Sequence, residues 1–213
     1  MQSASPTIMH VVNHLAGLPD IQKVEDDRVL MYVKDRFLSP EECREICSII
    51  DAERQPSQVV HPNGDAKFRT SETCYMRQDV PLVAEIDDRI CRLVHLNPLW
   101  GEGIQGQRYG VGQEFRGHTD YFKIGTHGYE EHTRHTGQRT WTVMIYLDKP
   151  EEGGNTTFPI IDRTFEPEIG KLLAWSNHNP DGSVNEATLH HATPIIRGEK
   201  HVITKWFRER PNV

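Results

Sequence analysis

The sequence predicts a mainly β fold, a sandwich or barrel of short strands with helices supporting one of its faces. Two observations carry that prediction. Seven strand-like runs follow one another after residue 100, each bounded by Gly, Pro, Asn or Asp, and short strands at regular spacing with turn residues between them are the pattern of a sandwich or barrel. The helical patterns all fall before residue 100.

Taken in order, Ile8, Val11, Val12 and Leu15 recur at helical spacing and predict a short amphipathic helix. "RVLMYVKDRF" (28–37) is dense in strand formers. "LSPEECREICSIID" then opens with Ser39 as helix cap, Pro40 at the first helical position and Glu42 completing a capping box; Cys43, Ile46, Cys47 and Ile50 form its inward stripe. A further helix is expected across 80–96, with Leu82, Ile86, Ile90, Leu93 and Val94 on one face. The strand-like runs are "IQGQRY", "EFRGHTDYF", "RTWTVMIYLD", "GNTTFP", "GKLLAWS", "ATLHHATPII" and "KHVITKWFRE". Between the second and third lies a polar segment, "KIGTHGYEEHTRHTGQ" (123–138), without useful periodicity; a loop of that length in a compact domain is usually functional or disordered. No repeat or change of composition divides the 213 residues, so one domain is expected, with 1–100 as helix-rich support and 101–210 as the β core.

The chain is 36% hydrophobic and 26% charged, as a well-solvated globular protein is. Its net charge of -7 and the absence of a basic run interleaved with aromatics argue against a nucleic-acid partner. No apolar stretch approaches membrane-spanning length. The N-terminus has neither the basic start nor the continuous apolar centre of a signal peptide, so a cytoplasmic location is expected. The four cysteines show no Cys-x-x-Cys spacing and read as free thiols.

"GHTDYF" (117–122) contains the one motif that points to chemistry. With 12 His and 13 Asp in the chain, chance alone supplies about 0.7 His-x-Asp tripeptides, so the motif needs its context. Two apart in a strand-like run, His118 and Asp120 share a face and can give a metal two adjacent ligands. A third from His190 or His191 would complete the two-His, one-carboxylate triad that leaves open positions on Fe(II). The bland alternative is a surface pair.

The stretch "YGVGQEFRGHTDYF … GQRTWTVMIYLDKPEEGGNTTFP … GKLLAWSNHNPDGSVNEATLHHATPIIRGEKHVITKWF" resembles the 2-oxoglutarate- and Fe(II)-dependent dioxygenases, and within them the prolyl 4-hydroxylase catalytic domain. The resemblance is collinear over roughly 28–208. It implies a double-stranded β-helix, or jelly-roll, with the N-terminal helices packed on its major sheet. It implies hydroxylation of a prolyl residue in a peptide or protein at the 4-position, with Fe(II), 2-oxoglutarate, O₂ and ascorbate as reductant. His118 and Asp120 match the family's His-x-Asp ligands. Pro194, four residues on, and Lys200, ten residues on, both select His190 as the distal ligand. Lys200 would pair with the distal carboxylate of 2-oxoglutarate, with Tyr109, Thr142 and Thr204 as further contacts to the co-substrate.

Each residue type has a chemical reason. Neutral imidazoles and a hard carboxylate suit Fe(II), and a distal carboxylate carried into a half-dry pocket needs a cation to meet it. Structural alternatives stand beside these roles: Lys200 as a strand-end charge, Thr142 and Thr204 as ordinary strand residues, Trp206 as core instead of peptide groove, and Arg139 as a surface charge instead of a substrate contact. Two departures from the family bear on substrate: "NPLWGEGIQGQRY" lacks the acidic and hydrophobic positions that usually precede the tyrosine, and Arg208 stands where collagen-type relatives often carry His. No separate peptide-binding domain is expected within these 213 residues, so recognition would rest on 123–138 and 61–77. Besides prolyl hydroxylation, the sequence admits a sister oxygenase acting on a free amino acid or small molecule, and an inactive jelly-roll binding module. Monomer and homodimer stay open.

Overall fold

The computed structural model describes residues 6–57 and 68–211. Four α-helices are present among them: α1 (Pro6–Ala16), α2 (Pro40–Glu53), α3 (Pro81–Val94) and α4 (His127–Thr133). The first half adds the strands β1 (Gln22–Lys23), β2 (Met31–Lys34), β3 (Gln55–Pro56), β4 (Glu72–Tyr75), β5 (Gln105–Tyr109) and β6 (Phe115–His118). The second half adds β7 (Arg139–Tyr146), β8 (Glu152–Gly153), β9 (Thr156–Phe158), β10 (Arg163–Phe165) and β11 (Leu172–Ser176), then β12 (His190–Ala192), β13 (Ile195–Arg197) and β14 (Lys200–Arg208). No helix among the described residues is long and apolar enough to cross a membrane.

The strands form a double-stranded β-helix. An eight-stranded sheet runs β1-β2-β11-β7-β14-β5-β4-β3, a four-stranded sheet runs β10-β9-β12-β6, and β13 pairs with β8 alone. The central strands β7 and β14 are buried along nearly their whole length, and alternation assigns their faces. Trp141, Val143 and Ile145 of β7, with Ile203 and Phe207 of β14, join a core with Ile8, Val11 and Leu15 of α1, Cys43, Ile46 and Ile50 of α2, and Val83, Ile86 and Ile90 of α3. Met144, Tyr146 and Val202 point the other way and meet Phe158 and Ala192 of the small sheet. The helices thus back the major sheet, and the space between the two sheets is left for side chains of mixed polarity.

Local chemistry places the helices. At the start of α2, Ser39 Oγ accepts the Glu42 N–H at 3.2 Å and Glu42 Oε2 accepts the Ser39 N–H at 2.7 Å. This is the reciprocal box the sequence predicts, and losing its cap costs on the order of 1 kcal/mol. α3 ends where His95 takes a left-handed conformation, φ 54°. All four cysteines are free, with Cys43, Cys74 and Cys91 buried.

Two readings of the sequence are corrected. The 123–138 segment is not all loop: Thr126 caps α4 by accepting the Tyr129 N–H at 3.2 Å. Seven residues are too few to give a periodic signal. And β6 stops at His118, so Asp120 belongs to the turn that follows it, not to the strand.

Candidate active site

His118 closes β6 and His190 opens β12, and the two are direct partners across the antiparallel ladder. Their rings stand 4.3 Å apart, centre to centre. The Nδ1 atom of His118 lies 2.9 Å from the Arg116 carbonyl, and that of His190 lies 2.9 Å from the Thr188 carbonyl. A carbonyl only accepts, so each Nδ1 carries the proton and each Nε2 is left with a lone pair. Asp120 completes the group, Oδ1 lying 3.8 Å from His118 Nε2. One ligand atom from each of the three residues lies within 4.8 Å of the other two.

The protonation states agree with a ligand role. Burial, aided by the neighbouring His190, pushes His118 down to about 3, so its ring is neutral at physiological pH. Burial alone would raise the Asp120 carboxyl; the imidazoles of His190 and His118, Arg139 and the Thr142 hydroxyl outweigh it and keep the group below its ordinary value. Two imidazoles that each present an Nε2 lone pair, with one carboxylate, are a donor set for Fe(II) with open positions, and the residues present fit that ion.

A cavity of about 50 Å³ opens from this group. Tyr109, Phe115, Trp175, Lys200, Thr204 and Trp206 are among the residues that line it. Among these Lys200 is 1% exposed. Its Nζ donates to the Gly154 carbonyl at 2.7 Å and stands 4.7 Å from the centre of the Tyr109 ring, its partner in register on β5. No carboxylate among the described residues pairs with it. Burial accordingly pulls its ammonium down to about 7, with only the charge of Asp148 opposing. A buried cation without a counter-ion is a site for an anion, and Lys200 lines the same cavity as the three-residue group.

The other residues singled out in the sequence are placed as follows. Thr204 lines the cavity and donates to Gln107 Oε1 at 3.2 Å. Thr142 does not line it: its hydroxyl donates to Asp120 Oδ2 at 2.7 Å and accepts from Asn177 Nδ2 at 3.0 Å. In the structure the partner of the Thr142 hydroxyl is thus the Asp120 carboxylate. Trp206 forms cavity wall. Arg139 lies behind it, its guanidinium 3.8 Å from the ring centre, with Nε and Nη2 donating to Glu102 at 2.6 and 2.8 Å. His191 is only half-buried and pairs with Thr157, on the side of the strand away from the triad.

Sequence reasoning missed Arg69, which lines the cavity 4.8 Å over the Phe115 ring, and Glu102, which lies between Arg139 and Arg208 Nε at 2.8 Å. Neither sits in a motif, and both depend on partners far away in the chain. Of the 61–77 segment expected to help in recognition, 61–67 lies outside the described residues.

Residues 104–208 match the model of the 2OG-Fe(II) oxygenase superfamily. Prolyl 4-hydroxylase 5 of Arabidopsis thaliana is 31% identical over 207 residues, covering 85% of this chain and 68% of its own. The viral collagen prolyl hydroxylase of Paramecium bursaria Chlorella virus-1, solved as its 2-oxoglutarate complex, superposes with a TM-score of 0.65 at 26% identity over 84% of this chain and 95% of that one. A prolyl-4-hydroxylase of Pseudomonas putida shares the fold, with a TM-score of 0.58 at 20% identity over 95% of this chain and 99% of that one.

Proposed function

The chain belongs to the 2-oxoglutarate- and iron(II)-dependent oxygenases, in the group of prolyl 4-hydroxylases, and we propose that its substrate is a prolyl residue within a peptide or protein, hydroxylated at ring C4. In each turnover 2-oxoglutarate and O₂ are consumed, one oxygen atom enters the substrate, and succinate and CO₂ leave. The observation that carries the reading is the three-ligand group sharing one cavity with a buried lysine that no carboxylate among the described residues pairs with.

His118, Asp120 and His190 would hold the iron, which when bound supplies the activation of O₂. Every other part of the work falls to the chain. Thr142 and Asn177 keep Asp120 oriented. Lys200 meets the distal carboxylate, and the apposed Tyr109 closes the pocket around it. Phe158 and Trp175 pack on the His190 ring at 5.1 Å each and exclude water from its flank. The peptide would lie across the open side, between the Arg69–Phe115 pair and the wall of Trp206 backed by Arg139. The 123–138 segment, which begins three residues after Asp120, would fold over it. The names of the relatives, a prolyl 4-hydroxylase and a viral collagen prolyl hydroxylase, support the substrate class.

Mass spectrometry after incubation with Fe(II), 2-oxoglutarate, ascorbate and a panel of proline-containing peptides tests the proposal. A single added oxygen at proline C4, with free proline unreacted, is the expected result. Efficient hydroxylation of free proline or of a non-prolyl residue would replace the peptide reading. Shortening the 123–138 segment should weaken peptide binding more than it affects succinate formation without peptide.

A further inference from the structure

Back to back with the cavity, the helix-side face of β14 carries a second cluster of ionisable groups. His201 is 1% exposed and adjoins Lys200, so the two side chains leave the strand on opposite faces. Asp148, two residues past the end of β7, accepts two hydrogen bonds from His201: the backbone N–H reaches Oδ1 at 2.6 Å, and Nδ1 reaches Oδ2 at 2.6 Å. On the other side of the ring, Nε2 lies 3.3 Å from Asp51 Oδ1 of α2. Cys47, one turn earlier on α2, belongs to the same cluster. An imidazole that meets a carboxylate at each nitrogen donates from both, and does so as the cation. Burial pulls its proton affinity down, but the bonds to Asp148 and Cys47 outweigh this and hold it up at about 10. Asp51 is already paired with Arg54 at 2.9 Å, and Glu199 with Arg108 at 2.6 Å. The cluster is therefore a charge network and not a cation site.

The strand has a use for this arrangement. β7 ends at Tyr146, and its pairing with β14 begins at Val202. Lys200 and His201 extend beyond that point, laddered only to Tyr109 and Arg108 of β5. On the β7 side the Leu147 N–H still reaches the His201 carbonyl at 3.0 Å, while the His201 N–H is taken by the Asp148 side chain in place of a backbone carbonyl. Lys200 itself hangs from this strand end, its ammonium on the Gly154 carbonyl. A strand end laddered on one edge alone frays more readily than one paired on both.

We propose that the Asp148–His201 clamp is the positioning device for the co-substrate lysine, holding the first residues of β14 so that Lys200 Nζ faces the distal carboxylate of 2-oxoglutarate. The inference rests on the role given to Lys200 above. The imidazole limb that matters is the one to Asp148; the limb to Asp51 ties the ring to α2.

Two substitutions separate the limbs. His201→Asn keeps a donor where Nδ1 stands and loses the one at Nε2, whereas His201→Gln keeps the outer donor and loses the bond to Asp148. Binding of 2-oxoglutarate to the full-length, metal-loaded protein is measured anaerobically, with pyruvate as a 2-oxo acid lacking the distal carboxylate. His201→Gln and Asp148→Ala should weaken 2-oxoglutarate binding on the order of tenfold, as small misplacements of a binding group do. They should leave metal and pyruvate affinities unchanged, and His201→Asn should restore most of the loss. Should Asp148→Ala fail to fold, the comparison of Gln with Asn at 201 decides alone. Wild-type affinity in His201→Gln, equal damage from Asn and Gln, or parallel losses for pyruvate would overturn the clamp. Lys200→Ala is run alongside: unchanged 2-oxoglutarate binding there would instead remove the reading of the pocket itself.

Discussion

Thr142 donates its hydroxyl hydrogen to Asp120 Oδ2 at 2.7 Å, and Asn177 donates in turn to the Thr142 oxygen at 3.0 Å. The carboxylate sits on a turn just past β6, so these bonds from β7 and from the residue after β11 fix its direction. Thr142→Val, which keeps the shape and removes the hydroxyl, should therefore lower Fe(II) affinity by about 10–100-fold, the usual effect of losing an outer partner of a metal ligand. Thr142→Ser should retain most of it. Equilibrium dialysis of the metal checks this; a variant that altered only the Michaelis constant for 2-oxoglutarate would restore the co-substrate contact expected from sequence.

Lys200→Ala should raise the apparent Michaelis constant for 2-oxoglutarate by orders of magnitude while sparing metal binding, since breaking a buried charge pair costs about 3–5 kcal/mol. The wild type should also show a pH signature. With no anion bound, the folded-state value of about 7 lies below the ordinary lysine value of about 10.4. Protonated Lys200 thus penalises the free fold: the cost is full below pH 7 and disappears as pH rises from there towards the unfolded value. Above pH 7 the dicarboxylate must bring a proton with it, so 2-oxoglutarate affinity should fall by up to about tenfold per pH unit. Calorimetry in buffers of different ionisation enthalpy reads the proton uptake, which Lys200→Ala should abolish.

His190 and His191 separate by strand alternation. His190→Ala should abolish Fe(II) binding and turnover, because the ring that pairs with His118 is removed. His191→Ala should keep the iron and change activity only modestly. Metal content of the two purified variants tests the assignment; the opposite pattern would mean that β12 is shifted by one residue.

Glu102 is the shared counter-ion of Arg139 and Arg208. Burial raises its carboxyl, but the two guanidiniums outweigh this and hold it below the ordinary glutamate value. Its stabilising contribution is thus present above the unfolded-state value of about 4.3 and is lost as pH falls through the lower folded value. Glu102→Ala leaves two guanidiniums without their partner and should cost about 3–5 kcal/mol of stability. Thermal melts at neutral pH check it, and the gap from wild type should narrow at acid pH.

Much of the fold was legible because its signals are local. The capping box at Ser39 and Glu42 needs only three residues of context, and the inward stripe of α2 needs one helical face. The strand-like runs after residue 100 mark β5, β7, β9, β11 and β14 because turn residues bound each of them. α4 was hidden by its length, and the end of β6 by "HTDYF" continuing the strand composition past the last ladder bond.

By itself the sequence determined which residue types stand at the site: the spacing of His118 to Asp120, and of His190 to Pro194 and Lys200, is a property of the chain. Only the tertiary structure decided what each of them touches. It turned Thr142 onto Asp120, set Glu102 between two arginines, and placed His201 between Asp148 and Asp51. The reason is physical. Periodicity and capping report which face of an element is buried and how its ends are satisfied. The partner of a buried polar group is chosen by sheet register and by the packing of helices on the sheet, which join residues dozens of positions apart.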